Sequence, residues 1–192
     1  MTEKRAALML STPLAEGAEL TTLEPWQAAE LVAFTDRNRA HLEPWLPWAH
    51  AVTDEAGARR FLQAYADKQA RDAGRMFAIR LDGELVGGMI YRLFDTEQGS
   101  CELGAWLSPE AQGRGLVTRA SRRMIDWAVG VRGLSRVEWL VDPANKASIA
   151  VAKRLGMSHE GTLRSLFEMA GKRHDLEVWS LLSHEWQAAQ GG

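Results

Sequence analysis

The spacing of apolar residues changes several times along the chain, and each change marks an element. Leu8 to Thr22 reads as an N-terminal strand region, interrupted around Glu16-Gly17. Pro25 and Trp26 open a helical stretch in which Ala29, Val32, Ala33 and Leu42 can share an inner side, and Pro44 and Pro47 break it. A second helix is expected from about Thr53 to Asp72, capped by Thr53 or Asp54, with Phe61, Leu62 and Tyr65 at helical spacing. After Gly74 the period becomes that of strands: Met76–Leu81, a tight turn at Asp82-Gly83, Leu85–Phe94, and Cys101–Leu107. A glycine-bearing loop leads into a helix from about Leu116 to Val129, where Val117, Ala120, Met124, Trp127 and Ala128 form an apolar stripe. Arg136–Val141 is a strand and Asn145–Leu155 a short helix. Thr162–Met169 and Asp175–Leu182 form a last hairpin across Gly171.

The element order is β-α-α-β-β-β-α-β-α-β-β. Hairpin neighbours dominate it, and the β-α-β stretch over residues 101–141 favours one parallel pair through a right-handed crossover. The expected fold class is therefore α/β (α+β): a mixed, mostly antiparallel sheet of about seven strands flanked by about four helices. We find no repeat, low-complexity tract or convincing linker. Residues 8–186 are expected to form one domain, with 187–192 a C-terminal tail.

Composition narrows the function classes. Lys plus Arg number 23 and Asp plus Glu 25, a formal net charge of −2, which argues against general binding to nucleic acid or a membrane surface. No apolar run approaches the roughly 20 residues that span a bilayer, and Ala6–Leu10 is too short for a signal-peptide core. The single cysteine, Cys101, excludes a disulfide framework within the chain and fits a reducing cytoplasm; it reads as a small buried residue. His41, His50, His159, His174 and His184 are scattered without metal-ligand spacing, so no metal is expected.

Two strand-to-helix junctions stand out. In the first, Trp106 and Leu107 end a strand, and Gln112-Gly113-Arg114-Gly115-Leu116-Val117-Thr118 turns into a helix. Helix N-termini present unpaired N–H groups with partial positive charge, and glycines admit an anion close to the backbone. The loop is neither a Walker loop nor a dinucleotide fingerprint. In the second junction Asn145 can cap a helix, with Ser148 on the same face of its first turn. By themselves these two segments read equally well as a tight turn and a plain capping residue.

Taken together, the segments resemble the GNAT N-acetyltransferase superfamily, whose Q/R-x-x-G-x-G/A loop matches here as Gln112-x-x-Gly115-x-Val117, with Val117 in place of the small residue. Asn38-Arg39-Ala40-His41-Leu42-Glu43-Pro44-Trp45-Leu46-Pro47-Trp48, Glu102-Leu103-Gly104-Ala105-Trp106-Leu107 and Asn145-x-x-Ser148-Ile149-x-Val151-x-x-x-Leu155-Gly156-Met157 are similar to the Rim-type subgroup, which acetylates the α-amino group of ribosomal proteins. The resemblance implies acetyl-CoA as cosubstrate and direct attack by an amine within a ternary complex. It places the pantetheine arm against the strand ending at Trp106 and Leu107, the pyrophosphate on the amides of Gln112, Gly113, Arg114, Gly115, Leu116, Val117 and Thr118, and the pantetheine also on Asn145.

Glu102 is then the first candidate for the general base. Many members carry a tyrosine as proton donor to the leaving thiolate; Ala152 stands at that position here, and Ser148 is the expected replacement. Trp45 and Trp48 either wall an acceptor pocket or act as a core plug or homodimer contact. The alternatives are acetylation of a small amine, for which Glu43, Asp54 and Glu55 are nearby carboxylates, and a non-catalytic acyl-CoA-binding module.

Overall fold

A computed structural model of the protein describes residues 11–190. The strand region expected from Leu8 therefore begins outside the described residues. Eight strands form one sheet in the order β1-β2-β3-β4-β5-β6-β8-β7. The chain divides into two compact units, the first running to Ile90 and including Ala105–Ala120, the second comprising Tyr91–Gly104 and the chain from Ser121 onward.

In the first unit the interruption at Glu16-Gly17 is a hairpin turn, so the expected single strand is two: β1 (Ser11–Ala15) and β2 (Ala18–Thr22), paired antiparallel. A 3-10 turn at Pro25–Gln27 leads into α1 (Ala28–Leu42), followed by α2 (Pro47–Ala51) and α3 (Glu55–Ala70). Pro47 starts α2 instead of merely ending α1, since proline is well suited to a first helical position. Asp54 is the cap of α3, its carboxylate accepting from the Gly57 amide at 2.6 Å. β3 (Arg75–Leu81) pairs antiparallel with β2, and β4 (Glu84–Asp95) follows the Asp82-Gly83 turn.

The inner side of α1 differs from the expected one. Ala29 and Ala33 are exposed and Val32 is half-buried, whereas Ala28, Leu31, Phe34, Thr35, Asn38 and Leu42 are buried. Two polar residues lie on the buried stripe because the helix itself satisfies them. Thr35 donates to the Leu31 carbonyl at 2.7 Å and Asn38 to the Phe34 carbonyl at 2.8 Å. Leu31, Phe34, Leu62, Ala78, Ile90 and Trp106 belong to one apolar core.

β5 (Ser100–Leu107) and α4 (Leu116–Gly130) each begin in one unit and end in the other. The second unit then adds β6 (Arg136–Val141), α5 (Lys146–Arg154), β7 (Ser158–Met169), β8 (Lys172–Leu182) and α6 (Ser183–Gln190). The expected parallel pair is β5 with β6, in register from Ser100↔Arg136 to Leu103↔Trp139. β8 pairs antiparallel with both β6 and β7. The segment from 187, expected as a tail, is helical as far as Gln190; Trp186 anchors it, buried and donating to Asp126 at 2.9 Å. Residues 191–192 lie outside the described residues.

Candidate active site

The first unit contains the glycine loop. After β5 a 3-10 turn at Pro109–Ala111 brings the chain to Gln112, whose main-chain N–H is taken by the Pro109 carbonyl at 3.1 Å. That amide is therefore committed, unlike the sequence expectation that gave it to a pyrophosphate. The Gln112 side chain meets the His41 ring nitrogen of α1 at 3.1 Å, which ties the loop to that helix. Gly113 and Gly115 follow at φ +76° and +70°, the left-handed region, where an added Cβ would find open space around Gly113 and only an arginine side chain near Gly115. Backbone conformation and not crowding is the reason for glycine at both. α4 then starts at Leu116, so the N–H groups of Leu116 and Val117 have no carbonyl one turn back within the helix. Arg114 and Arg119 stand exposed on the same stretch.

The same unit positions the aromatic residues. Trp106 is buried, lying over Gly88, where an added Cβ would come within 2.1 Å of the indole. Trp48 stands edge-on to Trp106 at 5.2 Å and stacks on Phe61 at 5.1 Å. Trp48 thus plugs an aromatic cluster of this unit; Trp45 is half-buried. The three carboxylates considered for a cationic acceptor are each engaged locally: Glu43 with Arg39 (3.4 Å) and His50 (3.7 Å), Asp54 as a helix cap, and Glu55 with Arg59 (2.7 Å).

The second unit contains the candidate chemistry. Glu102 is buried, and both of its oxygens accept from the half-exposed Arg92 guanidinium. The β5–β6 register runs from Ser100↔Arg136 to Leu103↔Trp139. Asn145 caps α5 through its oxygen, which accepts from the Ser148 amide at 3.1 Å. Ser148 Oγ accepts from the Trp139 indole N–H at 2.9 Å, which leaves the hydroxyl hydrogen to be given to something else. Ala152, at the position where a tyrosine was looked for, is fully buried. Of the chain's two tyrosines, Tyr91 is buried and spends its hydroxyl on the Met124 carbonyl at 2.6 Å.

Cys101 is buried, and desolvation first, then the Glu138 and Glu102 carboxylates, push its thiol up to about 12. It is no nucleophile at neutral pH. One pair escaped the sequence reading altogether: the His174 Nδ1 of β8 meets an Asp142 carboxylate oxygen at 2.9 Å, across 32 residues of chain. No spacing rule could have found it. Among the described residues there is no group of three or more His, Cys, Asp or Glu placed to hold a metal ion, and no helix long and apolar enough to cross a membrane.

A strand, a glycine turn and a helix in this order make a junction suited to an anion. Residues 21–158 match the acetyltransferase (GNAT) domain model. The chain belongs to the GNAT acetyltransferase family, whose members use acetyl-CoA as cosubstrate. It is 30% identical over 184 residues to a putative ribosomal N-acetyltransferase, YdaF, of Bacillus subtilis, covering 93% of this chain and 98% of the relative. It is also 30% identical over 155 residues to the spermidine N(1)-acetyltransferase of Escherichia coli, covering 74% and 83% of the two. The fold is shared with a ribosomal L7/L12 α-N-protein acetyltransferase, RimL, solved with coenzyme A. The TM-score is 0.83 at 22% identity, covering 90% of this chain and 97% of that one.

Proposed function

We propose that this acetyltransferase modifies the α-amino group of a protein, of the ribosomal-protein type, in the cytoplasm and as one domain over residues 8–186. The observation that supports the reading most is the glycine turn at the start of α4, with Gly113 and Gly115 both in the left-handed region. In it the N–H groups from Gly113 to Thr118, with Arg114 beside them, hold the pyrophosphate. The main chain of β5 up to Trp106 and Leu107 pairs with the pantetheine arm as an added strand. Asn145 keeps its side-chain nitrogen for the same arm, since only its oxygen is used in capping. Leu163 and Leu166 of β7 are each nearly half exposed, which supports a homodimer as the assembly.

The chemistry needs a neutral amine, correct placement and help for the leaving thiolate. Placement is worth about 7–11 kcal/mol of the barrier in well-oriented systems. Ser148 gives the last: with its lone pair occupied by Trp139, its hydrogen points to the developing charge on sulfur. Glu102 is the carboxylate the sequence puts forward for the proton, and Arg92 holds both of its oxygens. An α-amine asks little of a base, because with a pKa of about 7.7–8.0 roughly a tenth of it is neutral at pH 7. The relative that acetylates spermidine supports a second reading, a small polyamine acceptor. Against it, Glu43, Asp54 and Glu55 are each spent on a local partner instead of forming an array for a polycation.

Thiol release on mixing with acetyl-CoA and a panel of amines decides among these. The panel holds short peptides with free Ser or Ala N-termini, the same peptides N-blocked, and spermidine. Turnover is expected with the free peptides alone. Turnover with spermidine alone moves the assignment to small amines. No thiol release with any amine of the panel, despite acetyl-CoA binding, leaves an acyl-CoA-binding module.

A further inference from the structure

The second unit holds a carboxylate–imidazole pair outside the residues assigned so far. Asp142 begins the loop between β6 and α5, three residues before Asn145. One of its oxygens accepts from the Ala144 amide at 2.8 Å, and its own carbonyl accepts from the Asn145 amide at 2.8 Å, so the carboxylate is set by the turn that also sets Asn145. Its other oxygen meets His174 Nδ1 at 2.9 Å.

His174 is held from a second side. It pairs across the β7–β8 hairpin with Phe167, whose ring stacks on the imidazole at 5.2 Å and 22°. The neighbours of His174 on β8 are both engaged with Ser165: Arg173 donates to its hydroxyl at 3.1 Å, and Asp175 accepts from its amide at 2.7 Å. On the loop, Lys146 donates to the Pro143 carbonyl at 2.6 Å. The charged group set against the imidazole is therefore Asp142. With Nδ1–H given to that carboxylate, Nε2 holds a lone pair that no described residue uses, on a ring that is largely but not fully covered.

We propose that His174, oriented by Asp142, is the proton acceptor for the incoming amine, an inference that rests on the acetyl-transfer reading above. A carboxylate on one ring nitrogen fixes the tautomer and stabilises the imidazolium that forms when the other nitrogen takes a proton. Glu102 by contrast has both oxygens occupied by Arg92. The substrate ammonium gives one proton to Nε2, which passes it to water. The freed lone pair forms the N–C bond to the acetyl carbon. The C–S bond breaks with its electron pair going to sulfur, and the second proton lost from nitrogen ends on that sulfur. The products are the amide, the free thiol and one proton in solution.

The test compares wild type, His174→Ala, Asp142→Asn and Glu102→Gln with a free-amine peptide that wild type acetylates, alongside calorimetry with acetyl-CoA. His174→Ala is expected to lose about 10²-fold in kcat/KM at pH 7, within the range for a general base, while keeping its acetyl-CoA affinity. Two further readouts separate proton transfer from a structural role. Added imidazole restores turnover to His174→Ala. The gap to wild type also narrows as pH rises past about 8, because the amine then sheds its own proton. Should His174→Ala fold poorly, Asp142→Asn carries the test with a smaller loss of the same pH form. Unchanged turnover in His174→Ala overturns the proposal, as does a loss that neither imidazole nor high pH relieves. So does abolition in Glu102→Gln with His174→Ala still active. A wild type that turns over no peptide overturns the peptide reading instead, which no variant is needed to detect.

Discussion

At the residue scale, the hydroxyls bear on the proposed handling of the leaving sulfur. Tyr91 has given its hydrogen to a carbonyl of α4, and Ala152 occupies the place where a tyrosine was sought. Ser148 is the proposed donor, and the indole that donates to its oxygen leaves the hydroxyl hydrogen for another acceptor. Ser148→Ala is expected to lower kcat by about 10²-fold, the order seen when one donor to a developing anion is removed, with the KM for acetyl-CoA little changed. Steady-state kinetics at saturating peptide checks it, and an unchanged kcat assigns the thiolate's proton to water. Trp139, the residue that sets Ser148, was not singled out from the sequence. It sits mid-strand between Glu138 and Leu140, and nothing in its spacing to Ser148 marks the bond.

At the element scale, strands and helices with strong periodicity were legible, and those with weak patterns were not. The β6 limits agree at both ends, and α4 and α5 within a residue or two, because each has a strong stripe or a capping residue. α1 was found but rotated, since Thr35 and Asn38 hide on its buried side by bonding back to the helix. α6 was missed because Trp186 is its one buried residue in an otherwise polar run. The glycine loop was read from sequence as an anion cradle, and its conformation gives that reading a sharp consequence. Gly115→Ala puts a side chain at φ +70° with space around it, so the strain of the left-handed region, about 1–2 kcal/mol, is what it adds. Urea unfolding should show a loss of that order, and calorimetry a weaker affinity for coenzyme A. A variant with full affinity would mean that the turn does not hold the diphosphate.

At the scale of the whole molecule, the second unit carries a charge cluster on its sheet, with Glu160 partly exposed. Arg136 of β6 bonds Glu138 (2.7 Å) and both oxygens of Glu160 on β7, while Ser180 of β8 also donates to Glu160 at 2.7 Å. These bonds, Arg136 first and then Ser180, hold the Glu160 carboxyl down at about 2. A depressed carboxyl lends stability above its ordinary value of 4.5 and withdraws it as pH falls from there towards 2. The stability gap between wild type and Glu160→Gln should therefore be constant from pH 5 to 7 and close below it. Thermal melts across that interval would show it, and a gap independent of pH would remove the ion pair from the account. Much of this arrangement was hidden from the sequence, because Arg136 and Glu160 lie on strands that meet only through the fold, as do Asp142 and His174.

The sealed thiol of Cys101 bears on something the enzyme meets at every turnover. Acetyl transfer liberates coenzyme A as a free sulfhydryl, a compound that forms mixed disulfides with accessible protein cysteines once oxidised. The only sulfhydryl of this chain lies 1% exposed inside a parallel strand pair and stays protonated, so the catalyst offers its own by-product nothing to become shackled to.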